Sequence, residues 1–396
     1  MALLDVATAG LLLVGIVLAV PVVVLLVEIV SALAFSSPQR RRGDAKPRLA
    51  VLVPAHDEAL VITETLLNIR DQLSPGDRLL VVADNCTDAT TEIAENLGAE
   101  VVRRTDTTRR GKSYALDFGI RHLASNPPDV VIIVDADCAL DSGCLPTIGK
   151  EAYETGRPVQ AHYELLAPAE SPPPRVGIAV FAAKVKNYLR ALGFYNIGLP
   201  CQLMGTGMAF PWGAFSKVDL NSGELAEDLV LGLDLARAGI PPMFCPTARV
   251  TSRFPVSEEG SQTQRARWET GHLTTITRRV PLLLSEAITS RNWPLFALAL
   301  DAAVPPLALH AMALAVFGVA SLIWALLTGV TSPLILAAAI AAAFTIAVAL
   351  AWQSVGRDNI TLIELARAPA YAISKLSLYA QILKGKHISW IRSKRD

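Results

Sequence analysis

The chain has 396 residues, of which 52% are apolar and 18% are charged, and its formal net charge at pH 7 is zero. A neutral balance provides no overall basic field, which excludes nucleic-acid binding driven by net charge. The apolar content exceeds that of an ordinary soluble enzyme and favours a membrane protein. The five cysteines form no CxxC pair, so neither a zinc site nor a disulfide framework is indicated.

The first apolar run covers residues 10–27, reads GLLLVGIVLAVPVVVLLV and carries no charge. With its flanks it is long enough for a membrane-spanning helix. A cleaved signal peptide is the weaker interpretation, because no basic segment precedes the run. The basic segment PQRRRGDAKPR follows it, and positive residues stay on the cytoplasmic side. We therefore expect residues 1–36 to form a transmembrane helix with its N-terminus outside.

The middle of the chain, residues 47–275, alternates between strand-like and helix-like patterns. The strand patterns are RLAVLVPA, RLLVVADN, VVRR and DVVIIVDAD, and the segments between them have helical spacing or helix start and stop signals. This alternation predicts an α/β domain with a doubly wound, mostly parallel sheet. Such sheets bind ligands beyond the carboxyl ends of their strands. Polar clusters fall there at residues 56–58, 84–88 and 135–137.

The apolar strand VVIIV runs directly into Asp135 and Asp137. Alternate residues on a strand point the same way, so both carboxylates could face one ligand. Mg²⁺ and Mn²⁺ take one or two carboxylates and fill their other positions with phosphate oxygens and water. No glycine-rich phosphate loop follows the first strand, which makes a metal with cationic side chains the natural substitute. Acids that simply end a strand in a turn are the alternative interpretation.

Two later segments carry side chains suited to group transfer. TTRRGKSYALDFG places Arg109, Arg110 and Lys112 just ahead of a helix, where they could clamp a diphosphate or form a solvated basic loop. Glu227 and Asp228 open an amphipathic helix. One of these acids could take a proton from an incoming hydroxyl group, although acids at this position often only cap the helix.

A third segment, QTQRARWETGH, offers Gln264, Arg267 and Trp268 on one face of a predicted helix. An indole beside an amide and a guanidinium suits a flat sugar and a phosphate. A tryptophan at a membrane interface is the alternative interpretation.

Two more apolar runs lie at about residues 293–327 and 334–352. Two crossings return the chain to the cytoplasmic side, and the basic ending KGKHISWIRSKRD agrees with that topology. We expect Asp301 to lie near the interface and His310 to be packed between helices. The predicted organisation of this part is an interfacial amphipathic segment at 276–292, two transmembrane helices at 293–354 and a basic amphipathic segment at 355–396.

Seven motifs resemble, in this order, the membrane-integrated family 2 glycosyltransferases of bacterial polysaccharide synthesis: PAHDE, ADNCTDAT, RRGKSYALDFG, VDADC, GTGMAF, LAEDLVLGLDL and QRARW. The similarity covers about residues 47–275. The sequences of these motifs are similar to those of a branch linked to exopolysaccharide assembly, the methanolan-type transferases. It implies a cytoplasmic GT-A domain, a nucleotide-sugar donor and Mg²⁺ or Mn²⁺. It also implies a multi-pass protein of the bacterial inner membrane, with its catalytic domain and C-terminus in the cytoplasm.

The resemblance implies a role for each motif residue. Asp228 would be the catalytic base, Asp137 the metal ligand, and Asp135 a contact to both nucleotide and metal. On the donor side, Glu58 and Asp84 would contact the ribose and the nucleobase, and Lys112 would lie near the nucleobase or the diphosphate. Gly205 and Thr206 would line the acceptor side, and Glu227 would also bind substrate. Gln264, Arg267 and Trp268 would hold the diphosphate and the acceptor sugar.

Three motif positions depart from the family pattern. Asp57 stands where the family commonly has Asn, and Asn85 stands where a second Asp is usual. Ala226 replaces the Thr of a T-E-D triplet, but both acids of that triplet are kept, so the assignment of the base stands.

The expected reaction is inverting transfer of a sugar from a UDP-linked donor to a membrane-associated acceptor. A lipid-linked oligosaccharide in exopolysaccharide assembly fits best, since three spans leave little room for a polymer channel. A processive synthase of the cellulose or hyaluronan synthase type is the alternative, suggested by the Q-x-x-R-W motif. A non-catalytic nucleotide-binding membrane scaffold is a third hypothesis. It would be favoured if the sequence lacked Asp137 or Asp228, but both residues are present. Expected partners are the donor, the acceptor, membrane lipid and a second copy or other polysaccharide-assembly proteins, but no nucleic acid.

Overall fold

The computed structural model describes residues 2–36, 43, 45–168, 174–220, 224, 226–255 and 258–366. These residues form two compact units. One contains the sheet and is built from residues 43–168 and 198–299, and the other is helical and is built from residues 2–36, 174–197 and 300–366. Most of the basic segment at 38–48 and all of the predicted C-terminal segment beyond 366 lie outside the described residues.

The first unit is organised around one mixed sheet. Its strands are β1 (Leu49–Ala55), β2 (Arg78–Asp84), β3 (Glu100–Arg104), β4 (Val130–Ile133), β5 (Ala139–Leu140), β6 (Val159–Leu166), β7 (Met208–Pro211) and β8 (Met243–Arg253). Across the sheet the order is β3-β2-β1-β4-β7-β6-β8-β5. The first four strands are parallel, as the alternating pattern predicts, whereas β7 runs antiparallel to both of its neighbours.

The described helices are α1 (Ala2–Ala34), α2 (Ile62–Arg70), α3 (Thr90–Asn96), α4 (Lys112–Leu123), α5 (Cys144–Thr155), α6 (Pro174–Lys184), α7 (Ala191–Asn196), α8 (Glu227–Arg237), α9 (Glu258–Arg278), α10 (Val280–Thr289), α11 (Trp293–Ala302), α12 (Leu307–Thr328), α13 (Ser332–Ala351) and α14 (Leu362–Ala366). Helices cover both faces of the sheet. Val51 on β1 packs in the cluster with α2 and α5, and its neighbour Leu52 packs with α4 and α8. Successive strand residues point to opposite faces, which explains why these strands are apolar throughout.

Three of the described helices are long and apolar enough to cross a membrane: Leu4–Ala34, Leu307–Thr328 and Ser332–Gly356. The apolar run at 293–327 is divided between α11 and α12 by residues 303–306. Pro305 and Pro306 lie in this break, and neither can donate a backbone N–H to continue a helix. At ten residues, α11 is too short to span a membrane alone.

The helical unit encloses a buried ion cluster. Arg190, at the end of a π-helical turn (Val185–Arg190) that joins α6 to α7, donates to Glu28 on α1 at 2.6 Å. It also pairs with the carboxylate of Asp301, which is buried rather than exposed. Gly193 allows the close approach, because a Cβ there would lie 1.8 Å from the Glu28 carbonyl oxygen. His310 is fully buried against Phe344, as the packing prediction required.

Candidate active site

The two acids that follow β4 lie in a turn rather than on the strand. The strand ends at Ile133, so the alternation argument for Asp135 and Asp137 does not describe their arrangement. Asp135 donates its backbone N–H to Thr206 Oγ1 at 3.1 Å, and its carboxylate pairs with the ammonium of Lys112. Asp137 instead accepts a hydrogen bond from Ser252 Oγ at 3.0 Å. The turn therefore directs the two carboxylates to different partners.

Lys112, the first residue of α4, connects three parts of the site. Its Nζ pairs with Asp135 and donates to the carbonyl oxygen of Gly205 at 2.7 Å. Burial by itself lowers the pKa of Lys112, but the negative charges of Asp135 and Glu227 outweigh it and raise the pKa above its ordinary value. The side chain is therefore a fixed ammonium ion among carboxylates.

The loop before β7 places Gly205 beside both Lys112 and Asp228. Gly205 has a φ of +89°, a conformation that side-chain-bearing residues rarely adopt. A Cβ on Gly205 would lie 3.4 Å from Asp228 Oδ2 and 3.6 Å from Lys112 Nζ. Thr206 is fully buried and fixes the turn after β4 through Asp135. The predicted residues Lys112, Asp135, Gly205, Thr206 and Asp228 thus meet at the carboxyl edge of the sheet.

Gln160 on β6 anchors this loop and was not predicted. It is fully buried, and its Oε1 accepts from the Met204 N–H at 2.8 Å. Its Nε2 donates to the carbonyl oxygens of Thr206 at 2.9 Å and Ala161 at 2.8 Å. One side chain therefore fixes both ends of the three-residue stretch 204–206.

Replacing Gln160 with leucine is expected to lower the free energy of unfolding by about 2–4 kcal/mol. The change strands the Met204 N–H and the Thr206 carbonyl without partners, and each unsatisfied buried group costs about 1–3 kcal/mol. Denaturant unfolding of the purified protein measures the loss. Gln72→Leu is the matched control, because Gln72 is only half-buried and makes longer bonds of 3.3 and 3.5 Å. Equal losses in both variants would contradict the anchoring role.

The start of α8 places two acids next to the same ammonium. Asp228 Oδ1 accepts from the Leu229 N–H at 2.9 Å. Burial and the neighbouring charge of Asp228 raise the pKa of Glu227 to about 7, against the opposing charges of Lys112 and Arg267. A small open cleft lies here, and its lining includes Lys112, Gly205, Asp219, Glu227, Asp228 and Asp234. An acid exposed to this cleft can receive a proton from a bound hydroxyl group.

Asp84, which is predicted to contact the nucleotide, already forms an ion pair within the protein. Arg104 at the end of β3 donates to Asp84 Oδ1 at 2.6 Å and to the Arg109 carbonyl oxygen at 2.8 Å. Burial raises the pKa of Asp84 more than this guanidinium lowers it. Asn85 donates to Asp84 and accepts from the Asp106 N–H, both at 2.9 Å. An ionised Asp at position 85 could not donate to Asp84, so this contact requires the amide.

The loop after β1 is held by side-chain caps. Glu58 is half-buried, and its N–H donates to Thr90 Oγ1 at 2.7 Å. Asp57 has a φ of +54° and accepts from the Thr87 N–H at 2.5 Å. One carboxylate oxygen each of Asp57 and Asp88 and the Sγ atom of Cys86 all lie within 4.8 Å of one another. Desolvation raises the pKa of the Cys86 thiol to about 11, and both acids accept backbone N–H groups, so this cluster is a capped turn.

The Q-x-x-R-W residues lie on α9, as the helical spacing predicts. Gln264, Arg267 and Trp268 are all half-buried. The charge of Arg267 acts on Glu227, which places it near the start of α8. Within the described part of the chain, Gln264 Oε1 is buried without a hydrogen-bond partner. An acceptor atom in that state is available to a ligand hydroxyl group.

Residues 47–271, more than half of the chain, match the protein family described as "Glycosyltransferase like family 2". The chain belongs to this family. The chain is 26% identical over 253 residues to the probable glycosyltransferase YdaM of Bacillus subtilis (strain 168), and 24% identical over 217 residues to the 4,4'-diaponeurosporenoate glycosyltransferase of Staphylococcus haemolyticus (strain JCSC1435). These alignments cover 57% and 51% of this chain and 55% and 54% of the relatives. The chain therefore spans about half the length of the curated relatives it matches.

A solved structure confirms the predicted GT-A fold. The mannosyltransferase PcManGT from Pyrobaculum calidifontis, in complex with GDP-Man and Mn²⁺, superposes with a TM-score of 0.55 at 19% identity. The superposition covers 98% of this chain and 99% of that chain. At this identity the likeness concerns the fold, so the roles of individual residues rest on the geometry described above.

The residues of the turn after β4 fit a divalent cation. Asp137 is partly exposed at the carboxyl edge of the sheet and offers hard carboxylate oxygens, the ligands that Mn²⁺ and Mg²⁺ prefer. The adjacent thiol of Cys138 is buried, which raises its pKa well above the ordinary value.

Proposed function

We propose that this glycosyltransferase moves a sugar from a nucleoside diphosphate donor to a hydroxyl group of a membrane-associated acceptor, with inversion at the anomeric carbon. The observation that supports this proposal is the set of contacts around Lys112. That ammonium ion joins Asp135 to the loop at Gly205, and Asp228 lies beside the same loop. One carboxylate at the acceptor side is what a single displacement needs, in contrast to the two carboxylates of a glycosidase.

The residues divide the work of the displacement. Asp228 accepts the proton of the acceptor hydroxyl group as its oxygen bonds to the anomeric carbon and the bond to the diphosphate oxygen breaks. Lys112 holds Asp135 and the Gly205 loop in position for the leaving group. Mn²⁺ or Mg²⁺, held by Asp137 with Asp135 on the nucleotide side, would neutralise the charge of the departing diphosphate. Gln264, Arg267 and Trp268 are assigned to the diphosphate and the acceptor sugar.

The identity of the nucleotide stays a prediction. The resemblance of the motifs favours a UDP-sugar, whereas the solved mannosyltransferase holds GDP-Man. Asp84 and Glu58, at the ends of β2 and β1, are the residues proposed to contact the ribose and base. Asp84 is buried against Arg104, so a nucleotide would meet a carboxylate whose orientation is already fixed.

The pH profile is expected to report on Glu227. Burial and the charge of Asp228 raise the pKa of Glu227 to about 7, so Glu227 loses its proton between about pH 6 and 8. The second negative charge then lies beside Asp228 and favours transfer of a proton to it from the acceptor hydroxyl group, so kcat should rise over this range with an apparent pKa near 7. Glu227→Gln removes the titrating group and should remove this inflection. Initial rates at saturating donor test it, and an unchanged inflection in the variant would contradict it.

Folding stability should decrease as the pH rises from 4.5 to about 7, in the direction opposite to the change in kcat. The pKa of Glu227 in the folded chain lies above its ordinary value, so between pH 4.5 and 7 the folded state binds more protons than the unfolded state. Stability from this group is complete below the ordinary pKa and is lost as pH rises through 7. Glu227→Gln should flatten that part of the stability profile.

The acceptor is proposed to be a lipid-linked oligosaccharide in exopolysaccharide assembly at the bacterial inner membrane. Three apolar helices of spanning length support a membrane location. In the proposed topology the N-terminus is outside and the family 2 domain is cytoplasmic, since the basic segment at 38–48 follows α1. The three spans among the described residues are few for a polymer channel, which favours addition of single sugars.

Product analysis tests the acceptor. Membranes containing the protein are incubated with a radiolabelled nucleotide sugar and extracted with organic solvent. Single addition predicts label in the lipid phase, on a product one sugar longer than the acceptor. The Q-x-x-R-W motif on α9 favours a processive synthase as the second candidate. Label in an ethanol-insoluble polymer would support that function and contradict single addition.

A further inference from the structure

The short strand β5 brings the turn with Asp137 against β8. Ala139 pairs with Thr251 and Leu140 with Val250 in antiparallel register. The residue that precedes Ala139 therefore lies beside the residue that follows Thr251, which is Ser252. The sheet thus places Ser252 next to the turn, although 115 residues separate Ser252 from Asp137.

Ser252 makes a directed contact with the carboxylate. The residue is buried, with 6% of its surface exposed, and its Oγ donates to Asp137 Oδ2 at 3.0 Å. A serine hydroxyl has one proton, so the same oxygen can only accept from any further partner. Tyr163 on β6 is also buried and lies beside Ser252.

The serine hydroxyl helps to fix the orientation of this carboxylate. Oδ2 of Asp137 accepts from Ser252, Oδ1 accepts from the Cys138 thiol at 3.8 Å, and the residue remains partly exposed. Residues that hydrogen-bond to a ligating carboxylate set its rotamer and are worth about 10–100-fold in metal affinity. Ser252 belongs to no motif that the sequence marks as functional.

We infer that Ser252 is a positioning residue that orients Asp137 for a divalent cation. The inference rests on the proposed function, in which Asp137 is the metal ligand. It predicts that Ser252 acts on cation affinity and only through it on transfer.

Binding of Mn²⁺ in the presence of UDP or GDP tests the inference. The free Mn²⁺ signal in electron paramagnetic resonance gives the affinity of the purified full-length protein without any turnover. Ser252→Ala should weaken Mn²⁺ binding by about 10–100-fold. Ser252→Thr keeps the hydroxyl group and should restore most of the affinity.

Two matched variants keep the result interpretable. Thr251→Ala removes a neighbouring hydroxyl group on β8 that donates to the Ala139 carbonyl oxygen at 3.3 Å and not to Asp137, so affinity should be unchanged. Asp137→Ala should abolish the binding. Wild-type affinity in Ser252→Ala, or an equal loss in Thr251→Ala, would overturn the positioning role. Absence of Mn²⁺ binding in the unaltered protein, or its survival in Asp137→Ala, would instead contradict the proposed metal site.

Discussion

Replacing Asp228 with asparagine is expected to lower kcat by about 10²–10⁴-fold, the range that a positioned general base contributes. Asparagine preserves the shape of the side chain and can still accept from the Leu229 N–H, so the start of α8 should keep its structure. Binding of the nucleoside diphosphate should remain close to that of the unaltered protein, because Asp228 is assigned to the acceptor proton. Nucleotide release and calorimetric binding measure the two effects separately.

The control for this experiment removes a carboxylate elsewhere on the same domain. Asp117→Asn on α4 breaks only a surface pair with Arg121 and should leave kcat unchanged. Turnover of Asp228→Asn within a few-fold of the unaltered enzyme would show that another group takes the proton. Glu227, whose pKa of about 7 suits proton transfer near neutral pH, would then be the next residue to test.

Replacing Lys112 with methionine is expected to damage both activity and stability. The variant leaves Asp135, Glu227 and Asp228 without their shared ammonium ion. Loss of a charged hydrogen bond of about 1.5–3 kcal/mol corresponds to about 10–100-fold in kcat/KM for the donor. The free energy of unfolding should fall by about 1–3 kcal/mol, since Asp135 is about one-third exposed and solvent screens part of the pair.

The matched control is Arg121→Met, which removes a cation of the same helix that is mostly exposed. It should change neither kcat/KM nor stability by more than a surface ion pair contributes, about 0–1 kcal/mol. Donor titrations and denaturant unfolding of both variants compare them directly. A Lys112→Met enzyme with unchanged KM for the donor would contradict the role of Lys112 at the leaving group.

Local patterns predicted much of the sheet unit. The strands β1 to β4, the helices between them and the helical start at Glu227 follow from apolar spacing and from turn residues that act within a few positions. The placement of polar residues at the carboxyl ends of β1, β2 and β4 follows from the general architecture of parallel sheets. The antiparallel β7 does not follow, since its direction depends on pairing with β4 rather than on its own four residues.

The turn after β4 shows where the pattern misleads. VVIIV is apolar to its end, but the ladder stops at Ile133, and the acids take their orientation from distant partners. Lys112, Thr206 and Ser252 lie 23, 71 and 115 residues from the acids they contact. Contacts of that kind leave no periodic trace in a single sequence.

The buried polar residues are the other part that the sequence could not reveal. Gln160 stands in the strand VQAHYELL, and a buried glutamine there is recognisable only once its loop partners are placed. The same holds for the ion cluster of the helical unit. Arg190 meets Glu28 and Asp301 across separations of 162 and 111 residues, and each of the three charges would otherwise be taken as exposed.

Release of nucleoside diphosphate from a panel of UDP- and GDP-sugars by the purified protein tests whether Asp228 and a divalent cation act together in sugar transfer. Release should occur from one donor class, require Mn²⁺ or Mg²⁺, stop with a chelator, be stimulated by a membrane lipid extract and be lost in Asp228→Asn. Release that continues without a divalent cation, or that is equally fast in Asp228→Asn with the lipid extract present, would contradict it.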